Sequence, residues 1–551
     1  MLPFLFHWCE PFEGCIGKNY ARTKFLDASF DELSGLGDQR SPDSPTLANV
    51  CGASYYWAVS TANESSAQGR DYGSSPYRWY VLITLTLVYA LNFIDRALLG
   101  VLAQPVITTF GLTDTQFGFL AGPPFALFYA LMGIPIAMAA DRYNRVAIVS
   151  FCIALWSLMT ALCGLATGFL FLLISRIGVA IGEAGSNPPS NSIIADYFRP
   201  SARPKALSVY STGVTLGSML AFLIGGPLGQ LSDERVIAVL STFGLGWMPE
   251  ALGWGGGYGW RFAFLALGVP GVICGLIVFL TVREPPRGWS DPPGIAAPER
   301  TGIGPTLNLL MQKRSFWFMA VTASLVAMVG YGYSAFQAPM MQRLHGLSPA
   351  EFALRFGVPI GIAGAIGTIT AGYLTERLVR RSVDWVAKLP AIMLALATPL
   401  YLLGFIQKTE NLELSFAFWV LASMMHYGFL GAQYTIGQGV VPQSSRASAI
   451  AILLVIIALV GNGIGPQLVG WLSDTFMNLE LESRGLADTL SIALCNPKAA
   501  AALSASEQLT CAEIYAVGLQ HSMMATALFL LVAACSLWIC AKTLDRDLLA
   551  R

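Results

Sequence analysis

Four ionisable residues fall inside long apolar runs: Asp95 and Arg96 in the stretch NFIDR, and Arg176 and Glu183 in RIGVAIGEAGSNPPSNSIIADYF. A charge at the centre of a membrane span costs about 2.5–3.5 kcal/mol on insertion scales, so it is tolerated only with a partner or a wet cavity. Two acids and two bases form a set that is neutral when fully ionised. Burial disfavours the charged form of a carboxylate and a neighbouring guanidinium favours it. A change of water access or partner could therefore load or unload a proton, with the two acids titrating as a coupled pair. Asp95 and Glu183 are the expected proton-coupling acids. Arg96 and Arg176 are expected to engage an anionic group of a bound solute, with Asn92, one turn from Arg96, orienting it. The same four residues could instead form a fixed ion-pair network pinning two helices together.

The elements that must carry them follow from composition. Of 551 residues, 54% are hydrophobic and 12% charged, and 33 basic residues cancel 33 acidic ones. That balance leaves no basic stripe for nucleic acid and is far too apolar for a disordered binder. Apolar runs place about twelve spans, roughly 78–103, 114–139, 145–166, 168–195, 205–230, 260–282, 315–340, 350–376, 386–406, 413–437, 446–472 and 514–541. The fold class expected is an all-α polytopic membrane protein of twelve transmembrane helices in two six-helix, pseudo-symmetric bundles. The expected organisation is a disordered cytoplasmic tail or over-extended start (1–77), a first bundle (78–282), a Pro-rich cytoplasmic linker (283–314) and a second bundle (315–545). Span one would run outward and span four inward. This puts Asp95, Arg96 and Arg176 at similar depth in the outer half, with Glu183 about 10 Å further along and nearer the midplane.

Lys and Arg concentrate in alternate loops (Arg142, Arg145, Arg199, Arg203, Arg283, Arg377, Arg380, Lys542), which places both termini in the cytoplasm. Two loops on the opposite side are long. One of them holds Cys495 and Cys511, either as a disulfide or as two free thiols. Pro188-Pro189 should interrupt span four just inward of Glu183. His426, Gln337, Gln433 and Asn462 are polar at membrane depth. They are candidates for lining a substrate cavity, with interhelical packing as the alternative.

The halves repeat. Asp141-Arg142-x-x-Arg145 follows span two, and Glu376-Arg377-x-x-Arg380 follows span eight. GGPLGQLSD, ending at Asp233, is echoed by IGPQLVGWLSD, ending at Asp474. At these residues the chain resembles the major facilitator superfamily, whose inside-loop motif has the form G-x-x-x-D-R-x-G-R. Here Ala137 and Asn144 stand where that motif has glycines. The form D-R-Y-N-R, the fourth-span stretch 176–198 and NFIDR are similar to the spinster-like branch. The resemblance implies a carrier, and for several members of the branch a lysolipid or sphingoid-phosphate cargo coupled to protons. It also implies that Asp141, Arg142 and Arg145, with Asp196 and the second-half residues Glu376, Arg377 and Arg380, latch the inside shut. Arg142 or Arg145 would reach Asp196, and Asp141 would sit at the start of span eleven.

No P-loop and no nucleophile or metal constellation occurs, which argues against an ATP-driven pump or an enzyme. The expected activity is secondary transport of an anionic or zwitterionic amphipathic solute by alternating access. A carrier of small aromatic or other organic acids, or a non-transporting sensor, are the alternatives. A bacterial inner membrane, a monomer, no cofactor and a proton gradient as driving force complete the expectation.

Overall fold

The computed structural model describes residues 71–291 and 302–548, so the first seventy residues of the expected tail lie outside the described ones. Among the described residues, twelve helices are long and apolar enough to cross a membrane. Spans one to six are Ser75–Val101, Asp114–Arg142, Arg145–Gly164, Phe169–Tyr197, Lys205–Gly229 and Tyr258–Thr281. Spans seven to twelve are Arg314–His345, Pro349–Val379, Trp385–Phe405, Thr409–Gly439, Ser448–Ser483 and Ala505–Asp547. No strand occurs among the described residues.

The pairing repeats with a period of six spans. Spans one and five, two and four, and three and six pack together in the first half; seven and eleven, eight and ten, and nine and twelve do so in the second. The two bundles meet along spans two and eleven, one and seven, and five and eight, as a two-fold relation between them requires. Small residues set these approaches. A Cβ on Gly118 would overlap the Pro466 carbonyl, and one on Gly470 the Asp114 carbonyl, so side chains there would hold spans two and eleven apart. Within the halves, Gly213 and Gly217 bring span five onto the backbone of span one, and Gly465 brings span eleven onto that of span seven.

We call the end carrying Ser75 and Asp547 proximal and the opposite end distal. The hydrogen bonds and ion pairs that join the halves through Gln104, Asp114, Arg343, Ser473, Asp474, Asn496 and Lys498 lie at the distal end. The aromatic contacts of Phe117 with Phe336 and of Phe222 with Phe352 sit on the distal side as well. The molecule is closed distally, and its central cleft faces the proximal end.

Span four breaks where its prolines require. Its two helices end at Ala184 and restart at Asn187, because Pro188 and Pro189 have no N–H to return to the preceding turn. The residues before span one correct the expected tail. Asp71 pairs with Arg78 at 3.1 Å and accepts from the Arg199 N–H at 2.9 Å, and Tyr72 packs edge-on against Tyr197 and Trp289. Residues 71–77 therefore belong to the folded unit. The start of the linker is likewise docked, not free: residues 284–291 run across the proximal face of the first bundle. Cys495 and Cys511 are joined in a disulfide that ties the distal loop 484–504 to span twelve.

Candidate functional site

Consecutive residues of a helix project about 100° apart, and this sends Asp95 and Arg96 to different partners. Arg96 turns into the cleft, where its Nε donates to Glu183 Oε2 at 2.5 Å. Its side chain keeps 17% exposure while that of Glu183 has none. Asp95 turns into the first bundle, facing Arg176, Thr160 and Trp156. The Arg96 side chain reaches along the axis to meet Glu183. Asn92 faces the Glu183 carboxylate that Arg96 also bonds.

Phe125 on span two lies between the two guanidiniums. The Arg96 guanidinium lies 5.3 Å from its ring centre and that of Arg176 5.2 Å, so one ring bridges both cations. Tyr129 and Phe93 hold Arg96 at 4.7 and 5.3 Å. Below it, Tyr89 stacks on Tyr210 at 4.6 Å, with Asn187 between their hydroxyls. Tyr331 and Tyr434, from the other half, lie within electrostatic reach of Tyr89, and Tyr331 within that of Arg96. The polar satisfaction of this region is incomplete. Glu183 Oε1, Asn92 Nδ2, Arg176 Nε and Nη1, Trp156 Nε1 and Thr160 Oγ1 are buried without a hydrogen-bond partner.

The other candidates lie elsewhere. His426 is buried within the second bundle between Tyr401 and Tyr427, at centroid distances of 6.0 and 5.2 Å, and faces the Val326 carbonyl. It is a packed residue rather than a cavity lining. Gln337 and Gln433 are also buried on spans seven and ten, and neither is bonded to the Arg96–Glu183 pair.

At the proximal end the loop-motif residues separate. Arg145 is 1% exposed. It donates to Asp196 at 2.5 Å, Glu284 at 2.6 Å, Ser192 at 2.8 Å and the Pro285 carbonyl at 2.8 Å. Glu284 also accepts from the Val146 N–H at 3.0 Å, at the positive end of span three. Arg145 is therefore the buried hub that fastens the linker to the first bundle, and it does far more than mark a cytoplasmic loop. Asp141 and Arg142 are exposed. Glu376 and Arg380 pair with each other at 3.6 Å in solvent, and Arg377 contacts Tyr373. None of these residues is bonded across the halves, since closure of the distal ends holds the proximal ends apart. Arg145→Ala is expected to destabilise the protein by about 3–5 kcal/mol, because Asp196 and Glu284 lose their shared cation. Thermal unfolding in detergent would show it, and an unchanged midpoint would remove the hub role.

The distal closure rests on residues that the apolar-run reading passes over. Arg343 on span seven grips Asp114 through two bonds of 2.7 and 2.8 Å, reaches Gln104 at 2.7 Å, and lies 3.9 Å above the Tyr515 ring. Ser473 donates to Asp114 at 2.7 Å. Asp474 accepts from the N–H groups of Asp114 and Thr115 at 3.2 and 2.9 Å, capping span two across the interface. Its repeat partner Asp233 makes the same cap within its own half, on Gly257 and Tyr258 at 3.2 and 2.7 Å. The repeat of LSD was the visible signal for this chemistry. Asn496 and Lys498, in the disulfide-tied loop, add bonds to the Leu112 and Thr109 carbonyls.

A family model, Major Facilitator Superfamily, matches residues 85–466. The chain belongs to the major facilitator superfamily. It is 31% identical over 416 residues to an MFS-type efflux pump of Mycolicibacterium smegmatis, covering 75% of this chain and 89% of that one. It is 24% identical to the sphingosine-1-phosphate transporter SPNS2 of Danio rerio, over 70% of this chain and 74% of that one. A crystal structure of a bacterial homolog of the human lysosomal transporter Spinster, inward-facing and unoccupied, superposes with a TM-score of 0.81 at 45% identity, covering 87% of this chain and 100% of that one. Within the superfamily the chain is thus a transporter of the spinster-like branch and not an enzyme.

Proposed function

We propose that this transporter moves an anionic or zwitterionic amphipathic solute of the lysolipid or sphingoid-phosphate kind by alternating access, coupled to protons. The observation that carries the reading is the pairing of a cleft-facing Arg96 with a fully buried Glu183. An anion arriving in the cleft competes with Glu183 for the guanidinium. A buried carboxylate that loses its counter-charge is stabilised by taking up a proton. Solute binding and proton uptake are then one event, and by linkage solute affinity rises as pH falls on the side that binds it. Asp95, held with Arg176 behind the Phe125 ring, is the second acid of the coupled set. The cargo class rests on the aromatic walls around Arg96 and on the cargo in the SPNS2 relative's name. The positive-inside distribution supports a cytoplasmic proximal end, and on that reading this is the inward-facing state of the carrier, for which a bacterial inner membrane is the proposed home. No driving force beyond the proton gradient is required.

The test is flux in proteoliposomes under an imposed pH gradient, with lysophospholipids, sphingoid phosphates and aromatic carboxylates as cargo. Gradient-driven flux of an amphipathic anion should be lost in Asp95→Asn and in Glu183→Gln. Flux that ignores the gradient and survives both substitutions would make the acids structural. Transport of the carboxylates alone would replace the lipid reading with that of an organic-acid carrier.

A further inference from the structure

The loop joining spans five and six exposes an apolar tip, most of whose donors are bonded within the loop itself. Its helix Asp233–Thr242 turns back through Phe243–Trp247 into the short helix Met248–Ala251. From Val236 to Pro249 the chain carries no charge. Val236 and Leu240 bury with Trp254 against Leu165, Phe262 and Leu265. That packing is on the flank of spans three and six. These two spans lie away from the seam between the halves, so the loop hangs beside the bundle, not over the cleft. Its other side is open: Phe243 is 74% and Trp247 63% exposed, and Ile237, Val239 and Leu245 are exposed as well.

The polar atoms of this excursion point back into it. The Trp247 indole N–H donates to the Gly244 carbonyl at 3.1 Å, and the Ser241 and Thr242 hydroxyls donate to the Ile237 and Val239 carbonyls at 2.7 Å each. The amides of Phe243, Gly244, Leu245 and Met248 are bonded within the turn. A loop built for water has no need to satisfy its own donors. One that enters lipid must keep most of them bonded, since hydrocarbon offers no partner, and leave the rest, here the Gly246 and Trp247 amides, at the headgroup level. Aromatic residues at the ends of spans are the ones that settle at a bilayer interface.

We infer that residues 237–247 form a membrane-inserted anchor, with Phe243, Leu245 and Trp247 immersed in the distal leaflet beside spans three and six. The anchor belongs to the first half alone, so it fixes that half in the bilayer while the second half moves against it.

The test compares the wild type with Trp247→Phe in nanodiscs holding one copy each, so that the difference spectrum reports Trp247 alone. Lipids brominated on their acyl chains should quench that emission about threefold, and aqueous acrylamide should leave it nearly untouched, as for an indole below the headgroups. Quenching by acrylamide but not by brominated lipid would place the tip in water and overturn the anchor. Protection from both quenchers would mean that protein covers it, and would overturn it equally.

Discussion

Replacing Arg343 with alanine is expected to open the distal end. The change leaves Asp114, whose side chain has no exposure, with only the Ser473 hydroxyl and with the Asp474 carboxylate close by. Removing one partner of a buried pair costs about 3–5 kcal/mol. Here nearly all of that cost falls on the distally closed state, because opening returns these groups to water. At 1.4 kcal/mol per decade, the ratio of closed to open molecules should fall by about two to three orders of magnitude. Probes at Thr108 and Lys408, both exposed at the distal rim, would report it as a longer distance by electron–electron resonance. Arg343→Lys keeps the charge but not the two-pronged grip, so it should fall between. A wild-type distance distribution in the alanine variant would sink the latch.

The second large effect is a split between binding and transport at the central pair. Glu183→Gln removes the competitor for Arg96, so an anionic solute should bind about tenfold more tightly and without pH dependence, while coupled flux is lost. Arg96→Ala should abolish binding and flux together. It also leaves Glu183 buried without its cation, so the variant's thermal midpoint must be measured beside its affinity. Calorimetric titration with a lysophospholipid at two pH values separates these outcomes. If Glu183→Gln weakens binding and keeps its pH dependence, the acid does not compete for Arg96 and the coupling scheme falls.

Much of this architecture is written in the order of residue types. Apolar runs locate the spans because lipid admits little else, and Pro188-Pro189 marks the break in span four because two missing amides cannot be hidden. The cost of a charge in a span points to Asp95, Arg96, Arg176 and Glu183 without any structure. Who pairs with whom is not legible there. Depth along a helix can be counted, but the direction each side chain takes depends on the neighbouring helices. This is why Arg96 meets Glu183 while Asp95 turns away into the first bundle. Phe125 and Tyr129, which cradle Arg96, look in sequence like any lipid-facing aromatic. Asp114, Arg343 and Asp474 look like ordinary charges at helix ends, and only packing of the halves buries them. Arg145 shows the limit from the other side. Its neighbours along the chain suggest a gate, whereas its position at the foot of span three makes it a fastening for the linker.

The two ends of the molecule also differ in how they meet dissolved ions. Screening weakens charges that mobile ions can approach, within about 10 Å at 0.1 M, and leaves buried pairs nearly untouched. The distal grip of Arg343 on Asp114 has side-chain exposures of 5% and 0%, whereas Glu376 and Arg380 at the proximal end stand at 71% and 77%. Closure on the distal side is therefore indifferent to the salinity of the medium that bathes it. The proximal charges feel the ionic strength of their own compartment in full, so a latch built from them, as the family motif implies, would respond to salt on that side of the membrane only.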